Sequence, residues 1–179
     1  IGRAIRDGHL HAVSVTASGY TSGESLAFFQ AADGVLPWRR AQRLGVRTEL
    51  SVPHLMASSA IPFVFPAVRI HREYFGDGSM RQLAPISPAV HLGADRILVI
   101  GSGRLEEEGR QQGHAYPSLA QIAGHAMSSI FLDSLAVDLE RLERINATLG
   151  AFTAEQRAAA GLTLRPIETL VIAPSRRID

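Results

Sequence analysis

The sequence contains no cysteine and no lysine. Without cysteine it has no disulfide, no thiolate nucleophile and no cysteine ligand for a metal. The absence of cysteine does not indicate whether the protein functions in an oxidising or a reducing compartment. All 18 basic residues are arginine, and they are scattered along the chain. A guanidinium binds phosphate in a bidentate manner, which would suit a lipid headgroup. Because the arginines do not cluster in one block, we attribute the use of arginine in place of lysine to a compositional bias of the source genome and not to phosphate binding.

Long hydrophobic runs are also lacking, since no stretch approaches the ~20 apolar residues of a membrane-spanning helix. The formal net charge of +1 argues against nucleic acid as a partner bound by bulk electrostatics. With 46% hydrophobic and 20% charged residues over 179 positions, the chain is typical of a globular domain with its own core. The first residues, 1–6, have no signal-peptide core and look like the middle of a helix. We therefore expect the native N-terminus to lie upstream.

Alternating strand and helix patterns predict an α/β fold, a layered and mainly parallel sheet with flanking helices. The predicted helices cover 1–8, 51–59, 86–92, 117–146 and 154–160, with Ser51 and Thr153 as N-caps. The predicted strands are 11–16 and 25–30 as a hairpin, 67–70 and 73–75 as a second hairpin, then 97–100 and 170–173. We expect 97–100 to be buried on both faces. Residues 63–65, Phe-Val-Phe, are expected in the core.

The segment 37–47 carries one tryptophan and several arginines. If it is helical, Arg39, Arg43 and Arg47 share one face. A solvated surface segment is the preferred interpretation; an anionic lipid surface and a loop over the site are the alternatives.

Three weaker signals are interpreted as structural. His9 and His11 lie on one strand face, but a zinc site needs further ligands, so we expect a solvent-facing pair and no metal. Gly101-Ser102-Gly103 lacks the third glycine of a dinucleotide fingerprint, since position 106 is glutamate. His125 is expected to be a partly buried residue of the long helix.

The most informative stretch is Phe75-Gly76-Asp77-Gly78-Ser79, an acid between two glycines after a strand-like run. Asp-Gly is a common tight-turn pair, so a plain turn is the simplest explanation for these residues alone. In sheets of the predicted type, functional groups gather at the carboxyl ends of strands. Asp77 would occupy such an end.

The flanking segments are Ala-Ser-Ser-Ala-Ile-Pro at 57–62 and Pro-Ile-Ser-Pro-Ala-Val-His-Leu-Gly-Ala-Asp at 85–95, followed by an apolar strand. This ordered set resembles the second half of the patatin-like phospholipase family, bacterial branch. The resemblance implies a lipid acyl hydrolase with a Ser–Asp dyad, in which Asp77 is the catalytic acid. Gly76, Gly78 and Ser79 would support it, and no cofactor or metal would be needed.

Two features depart from the family pattern. The third residue of the turn is Ser79 instead of glycine or alanine, and no Gly-x-Ser-x-Gly elbow or glycine-rich oxyanion loop occurs in the 179 residues. We therefore expect 1–179 to be a partial patatin-like domain, the acid half, inactive alone. The missing N-terminal segment or a second copy would be its partner, because a truncated sheet leaves an edge strand unpaired.

The resemblance further implies a lipid or acyl-ester substrate and a location in the cytoplasm or at a membrane surface. An aspartate with an ordinary pKa of ~3.9 is a weak base near neutrality, so the site must raise this value or bring the groups close. Phe63, Phe65 and Phe75 are expected to desolvate the carboxylate, and Ser79 or a backbone amide to orient it. The alternative is a non-catalytic α/β binding or scaffold module that keeps the fold without the chemistry.

Overall fold

A computed structural model of the chain describes residues 1–82, 84–101 and 118–174, excluding the side chains of residues 120–121 and 123–133. The chain divides into two compact units, Ile1–Gly93 and Ala94–Asp179. Both units combine helices with strands, which confirms the predicted α/β class.

The first unit is built on a six-stranded sheet in the order β3-β4-β2-β1-β6-β5. Its strands are β1 (Ala12–Gly19), β2 (Ser25–Ala31), β3 (Trp38–Arg40), β4 (Arg43–Arg47), β5 (Val68–Ile70) and β6 (Glu73–Asp77). Its helices are α1 (Gly2–Arg6), α2 (Val52–Ser58) and α3 (Ser87–His91), with a 3₁₀ helix at Gly78–Arg81. Both predicted hairpins are confirmed.

The direction of the strands corrects the prediction of a mainly parallel sheet. Within the six-stranded sheet β2 and β4 run parallel, whereas β1–β2, β1–β6, β3–β4 and β5–β6 are antiparallel. For β1–β2, β3–β4 and β5–β6 the physical reason is the short connection, because strands joined by a tight turn can pair only in antiparallel orientation. The β1–β6 pair joins strands that are far apart in the chain. The large sheet is therefore mixed.

One face of the sheet is covered by α2. A buried cluster joins the helix to β1, β2, β5 and β6 through Ala17, Phe28, Ala57, Ile70 and Phe75. The helix begins as predicted at Ser51, whose backbone N–H donates to Nδ1 of His54 at 3.1 Å. This bond satisfies one of the amides that a helix N-terminus leaves free.

Residues 63–65 are not in the core. Phe63, Val64 and Phe65 are all exposed, so the prediction for them is wrong. The chain turns tightly after α2, with Val64 N–H and Phe65 N–H both donating to the carbonyl of Ile61. Phe63 adopts a positive φ of 66° in this turn. Turn hydrogen bonding, which hydrophobicity does not reveal, directs these side chains outward.

The arginine-rich segment is a hairpin, not a helix. Arg39 lies on β3, and Arg43 and Arg47 lie on β4, so the three arginines do not share the helical face that their spacing allowed. Gln42 makes the turn with a φ of 57°. Tertiary pairing explains the difference, because β4 pairs with β2 along its whole length and a strand partner overrides weak helical spacing.

The second unit contains two parallel strands and two helices, β7 (Arg96–Ile100), α4 (Leu119–Gly150), α5 (Ala154–Ala159) and β8 (Glu168–Ile172). Asn146 of α4 fixes the start of β8: its Nδ2 donates to the carbonyl of Ile167 at 2.8 Å and its Oδ1 accepts from Ile167 N–H at 3.0 Å. Thr153 caps α5 as predicted, accepting from Gln156 N–H at 3.2 Å.

Burial of β7 on both faces is not confirmed. Leu98 and Ile100 of β7 and Leu170 and Ile172 of β8 are all exposed, so one face of this small sheet is open. The continuous apolar run predicted the strand but not its coverage. Ser102, Gly103 and position 106, together with the side chain of His125, lie outside the described residues.

Candidate functional site

Asp77 is the last residue of β6 and the N-cap of the 3₁₀ helix that follows. On one side β6 pairs with β1, where Asp77 lies opposite Ala17, and on the other it pairs with the edge strand β5. Asp77 therefore lies at the carboxyl end of an interior strand, where it pairs with β1 alone, because the ladder with β5 ends at Phe75. The predicted position at a strand end is confirmed.

Ser79 orients the carboxylate of Asp77. Its backbone N–H donates to Oδ1 of Asp77 at 2.9 Å and its hydroxyl donates to the same oxygen at 2.6 Å. Ser79 is 8% exposed, so water competes little for these bonds. Among the described residues Oδ2 accepts no hydrogen bond and is the oxygen with free lone pairs. The sequence predicted that Ser79 or a backbone amide would orient Asp77, and both the hydroxyl and the backbone N–H of Ser79 contact the carboxylate.

The two glycines beside Asp77 are closely packed, but only one of them is required. A side chain at Gly76 would meet the phenol of Tyr20, which is exposed and can move aside. A side chain at Gly78 would overlap the backbone carbonyl of Thr16, and the hydroxyl of Ser18 donates to the carbonyl of Gly78 at 3.4 Å. Glycine at position 78 therefore lets the 3₁₀ helix approach β1 closely.

The segment after α2 lies against this site. The backbone N–H of Asp77 donates to the carbonyl of Ala60 at 3.0 Å, which ties the acid to the Ala-Ser-Ser-Ala-Ile-Pro stretch. Of the three aromatic residues expected to desolvate Asp77, Phe75 is buried and Phe63 and Phe65 are exposed. The contribution of Phe63 and Phe65 is therefore corrected: both side chains are open to solvent.

His54 of α2 is buried behind the same face of the sheet. Burial lowers the pKa of its imidazole, and the nearby charge of His71 lowers that pKa further. The ring meets Phe28 edge-on at a centroid distance of 4.9 Å, and its Nε2 is buried without a hydrogen-bond partner. His54 is thus a packing and capping group of α2, with Nδ1 bonded to Ser51 N–H and the ring against Phe28.

Glu73, at the start of β6, closes the turn that joins β1 to β2. Its Oε1 accepts from Thr21 N–H at 3.1 Å and from Ser22 N–H at 2.7 Å. Desolvation acts to raise the pKa of Glu73, but the hydrogen bonds from Ser22 and Thr21 outweigh it and the pKa is lowered. No pattern in the sequence indicated this long-range contact.

A stack of three rings was also absent from the sequence-based expectations. Trp38 lies between Phe29, at a centroid distance of 5.0 Å, and His91, at 4.7 Å. Burial lowers the pKa of His91, and the charges of Arg40 and Arg43 lower it further. Trp38 is thus a packing residue against α3 and does not lie beside a helical face of arginines.

No protein-family model matches the sequence, and a search of curated proteins finds no match either. Within the described ranges no group of three or more histidine, cysteine, aspartate or glutamate residues is arranged to hold a metal ion. In the same part of the chain no helix is long and apolar enough to cross a membrane.

Proposed function

We propose that Asp77 is the acid of a Ser–Asp dyad in a patatin-like lipid acyl hydrolase. The observation that carries the proposal is the asymmetric carboxylate: Oδ1 is held by two hydrogen bonds from Ser79, at 2.9 and 2.6 Å, and Oδ2 is left to accept a proton. The segments 57–62 and 85–95 carry the resemblance to patatin-like phospholipases, and from this resemblance we infer ester hydrolysis as the reaction.

The chemistry follows from that arrangement. Oδ2 of Asp77 accepts the proton of a serine hydroxyl while the serine Oγ attacks the ester carbonyl. Backbone N–H groups stabilise the oxyanion that forms. The proton then passes to the departing alcohol, and an acyl-serine remains. Water, deprotonated by the same carboxylate, hydrolyses that ester and returns both residues to their starting state.

The attacking serine would come from outside the 179 residues, since they contain no Gly-x-Ser-x-Gly. Ser79 does not fit this role, because it is buried and its hydroxyl already donates to Asp77. The proposal includes a lipid or acyl-ester substrate met in the cytoplasm or at a membrane surface, and the missing segment or a second copy as partner.

The test uses the gene product that contains this sequence, assayed with a short-chain p-nitrophenyl ester. Asp77→Asn keeps the shape of the side chain and removes the base, so we expect a loss of at least about a hundredfold in kcat/KM. Asp33→Asn is the matched control, because Asp33 is exposed and meets Arg47 only at 3.8 Å. A fluorophosphonate probe, read by peptide mapping, should label one serine outside these residues.

The alternative is a binding or scaffold module, favoured by one observation: a carboxylate that accepts from the residue two positions later is an ordinary N-cap turn. Under this alternative the folded protein hydrolyses no ester, and the probe labels no serine. Activity that survives Asp77→Asn would likewise overturn the dyad.

A further inference from the structure

The outer side of α2 and the turn that follows the helix expose apolar side chains. His54 and Ala57 face the sheet and are buried, whereas the side of α2 that points away from the sheet is open to solvent. The turn comes directly after the helix, since Ile61 N–H donates to the carbonyl of Ser59 at 2.9 Å. We call six exposed residues of this region the apolar patch: Val52, Leu55, Met56, Phe63, Val64 and Phe65.

Phe63 is the most exposed member of the apolar patch. Its side chain is 104% exposed, and its backbone has a positive φ of 66°, a conformation that bulky residues rarely adopt. Apolar residues are normally scattered singly over a protein surface, and a group of them marks contact with a protein or a membrane. An aromatic ring held outward in an unfavourable backbone conformation therefore points to a role in binding.

The surroundings of the apolar patch carry positive charge. Residues 50–72 contain no aspartate or glutamate but include two arginines, Arg69 and Arg72. Ile70 of β5 packs with Ala57 of α2 in the buried cluster, which places the β5–β6 hairpin beside the helix. Arg72 lies in the turn of that hairpin and is exposed. Exposed apolar side chains beside an exposed arginine are complementary to an anionic lipid surface.

We propose that the apolar patch binds an anionic lipid surface. In this arrangement Phe63 and Phe65 enter the boundary between headgroups and acyl chains, and Arg72 contacts the headgroups. The lipid surface as the occupant rests on the membrane location included in the proposed function, but not on the Ser–Asp dyad.

A second copy of the chain fits the apolar patch less well than a bilayer does. A standard protein interface takes about 20–30 residues from each side, far more than the six residues of the patch. A projecting ring such as that of Phe63 would also need a matching pocket in a protein partner. A bilayer accepts projecting apolar side chains without such a pocket.

Vesicle sedimentation tests the proposal with the gene product that contains this sequence. One set of vesicles is pure phosphatidylcholine, and the other contains equal parts of phosphatidylcholine and phosphatidylglycerol. We expect binding to the anionic vesicles to be at least about fivefold tighter than to phosphatidylcholine, as for one arginine near an anionic surface. This difference should shrink at high salt. Absence of binding to the anionic vesicles overturns the proposal.

Phe63→Asn tests the apolar part of the contact. Asparagine removes the ring and tolerates the positive φ of the turn. Binding to anionic vesicles should weaken at least about tenfold, because one phenylalanine side chain is no longer taken out of water. Leu36→Asn is the matched control and should bind like the wild type, since Leu36 is also exposed but lies before β3, at the edge of the sheet opposite to β5. Equal binding of Phe63→Asn and wild type overturns the proposal.

Arg72→Gln tests the charged part of the contact. It should weaken binding to anionic vesicles about fivefold and leave binding to phosphatidylcholine unchanged. Arg40→Gln is the matched control, because Arg40 is exposed on β3, at the other edge of the sheet. Equal effects of the two changes would show that general charge attraction, and not this surface, holds the protein on the vesicles, and would overturn the proposal.

Leu55→Gln keeps the test decisive if Phe63→Asn does not fold, because Leu55 is an exposed member of the patch on α2. Unchanged vesicle binding in this variant counts against the patch. If the patch instead joins two copies, sedimentation velocity shows a concentration-dependent dimer, and the vesicles do not bind. Asp77→Asn should bind vesicles as the wild type does, so failure of the lipid contact and failure of the dyad are distinguishable.

Discussion

Ser79 donates both its backbone N–H and its hydroxyl to one oxygen of Asp77, at 2.9 and 2.6 Å. The carboxylate is thereby fixed in rotation, with Oδ1 engaged and Oδ2 free among the described residues. This one pair is compatible with a catalytic acid and with a capped turn. Measurements on Ser79 and its neighbours therefore come first.

Ser79→Ala should lower the free energy of unfolding by about 1–3 kcal/mol, because it removes a buried hydrogen bond to a charged group and leaves the amide bond in place. Urea denaturation at pH 7 measures the change. Ser59→Ala is the control, since Ser59 is exposed and its hydroxyl donates to the carbonyl of Leu55 at 3.1 Å. Equal losses in the two variants would show that the Ser79 hydroxyl adds nothing specific.

Gly78→Ala should also destabilise this site, through a steric clash. The new methyl group would overlap the backbone carbonyl of Thr16, and backbone cannot move aside without disturbing β1. We expect a loss of about 1–3 kcal/mol or non-folding protein, read from thermal melts. Gly150→Ala is the matched control, because nothing lies within 4 Å of the added atom; a similar loss there would remove the steric explanation.

Glu73→Gln should make the free energy of unfolding less dependent on pH between pH 7 and 3. The lowered pKa of Glu73 means that its charged form stabilises the fold at and above the ordinary glutamate range. That contribution is lost as the pH falls through the folded-state pKa. Urea midpoints at pH 7, 5, 4 and 3 should therefore fall less steeply in the variant. Exposed Glu140→Gln serves as control, and parallel curves for wild type and Glu73→Gln would contradict the assignment.

His54→Gln should flatten the pH dependence near neutrality. Because the pKa of His54 is lowered, the unfolded chain binds a proton more tightly than the folded chain does. The free energy of unfolding therefore falls as the pH drops below about 6.5. Glutamine keeps the cap, as Gln156 does by accepting from Thr153 N–H at 2.8 Å. Unfolding free energies between pH 8 and 5.5 measure the slope, with exposed His9→Gln as control.

The pKa of His91 is also lowered, so His91 also makes the free energy of unfolding fall as the pH drops. The pH dependence of stability should therefore become weaker in His54→Gln but should not disappear. An unchanged slope would mean that His54 accepts a proton in the folded protein.

Part of the candidate site was accessible from the sequence. The glycines around Asp77 and the strand before it predicted an acid at a strand end, and the adjacent Ser79 was a reasonable orienting group because it lies only two residues away. Its bond to Asp77 is a local interaction. The contact of Glu73 with Thr21 and Ser22 was not accessible, since these residues lie far apart in the chain and meet only through strand pairing.

By itself the sequence determined what short-range physics decides. Helix starts at Ser51 and Thr153, the two hairpins and the long apolar periodicity of α4 follow from capping, turn chemistry and spacing among near neighbours. Tertiary structure decided the rest. The pairing of β4 with β2 made a strand of a segment whose arginine spacing also allowed a helix, and the turn after α2 exposed Phe63. The reason is that pairing and burial depend on residues far apart in the chain, whose contacts no local pattern contains.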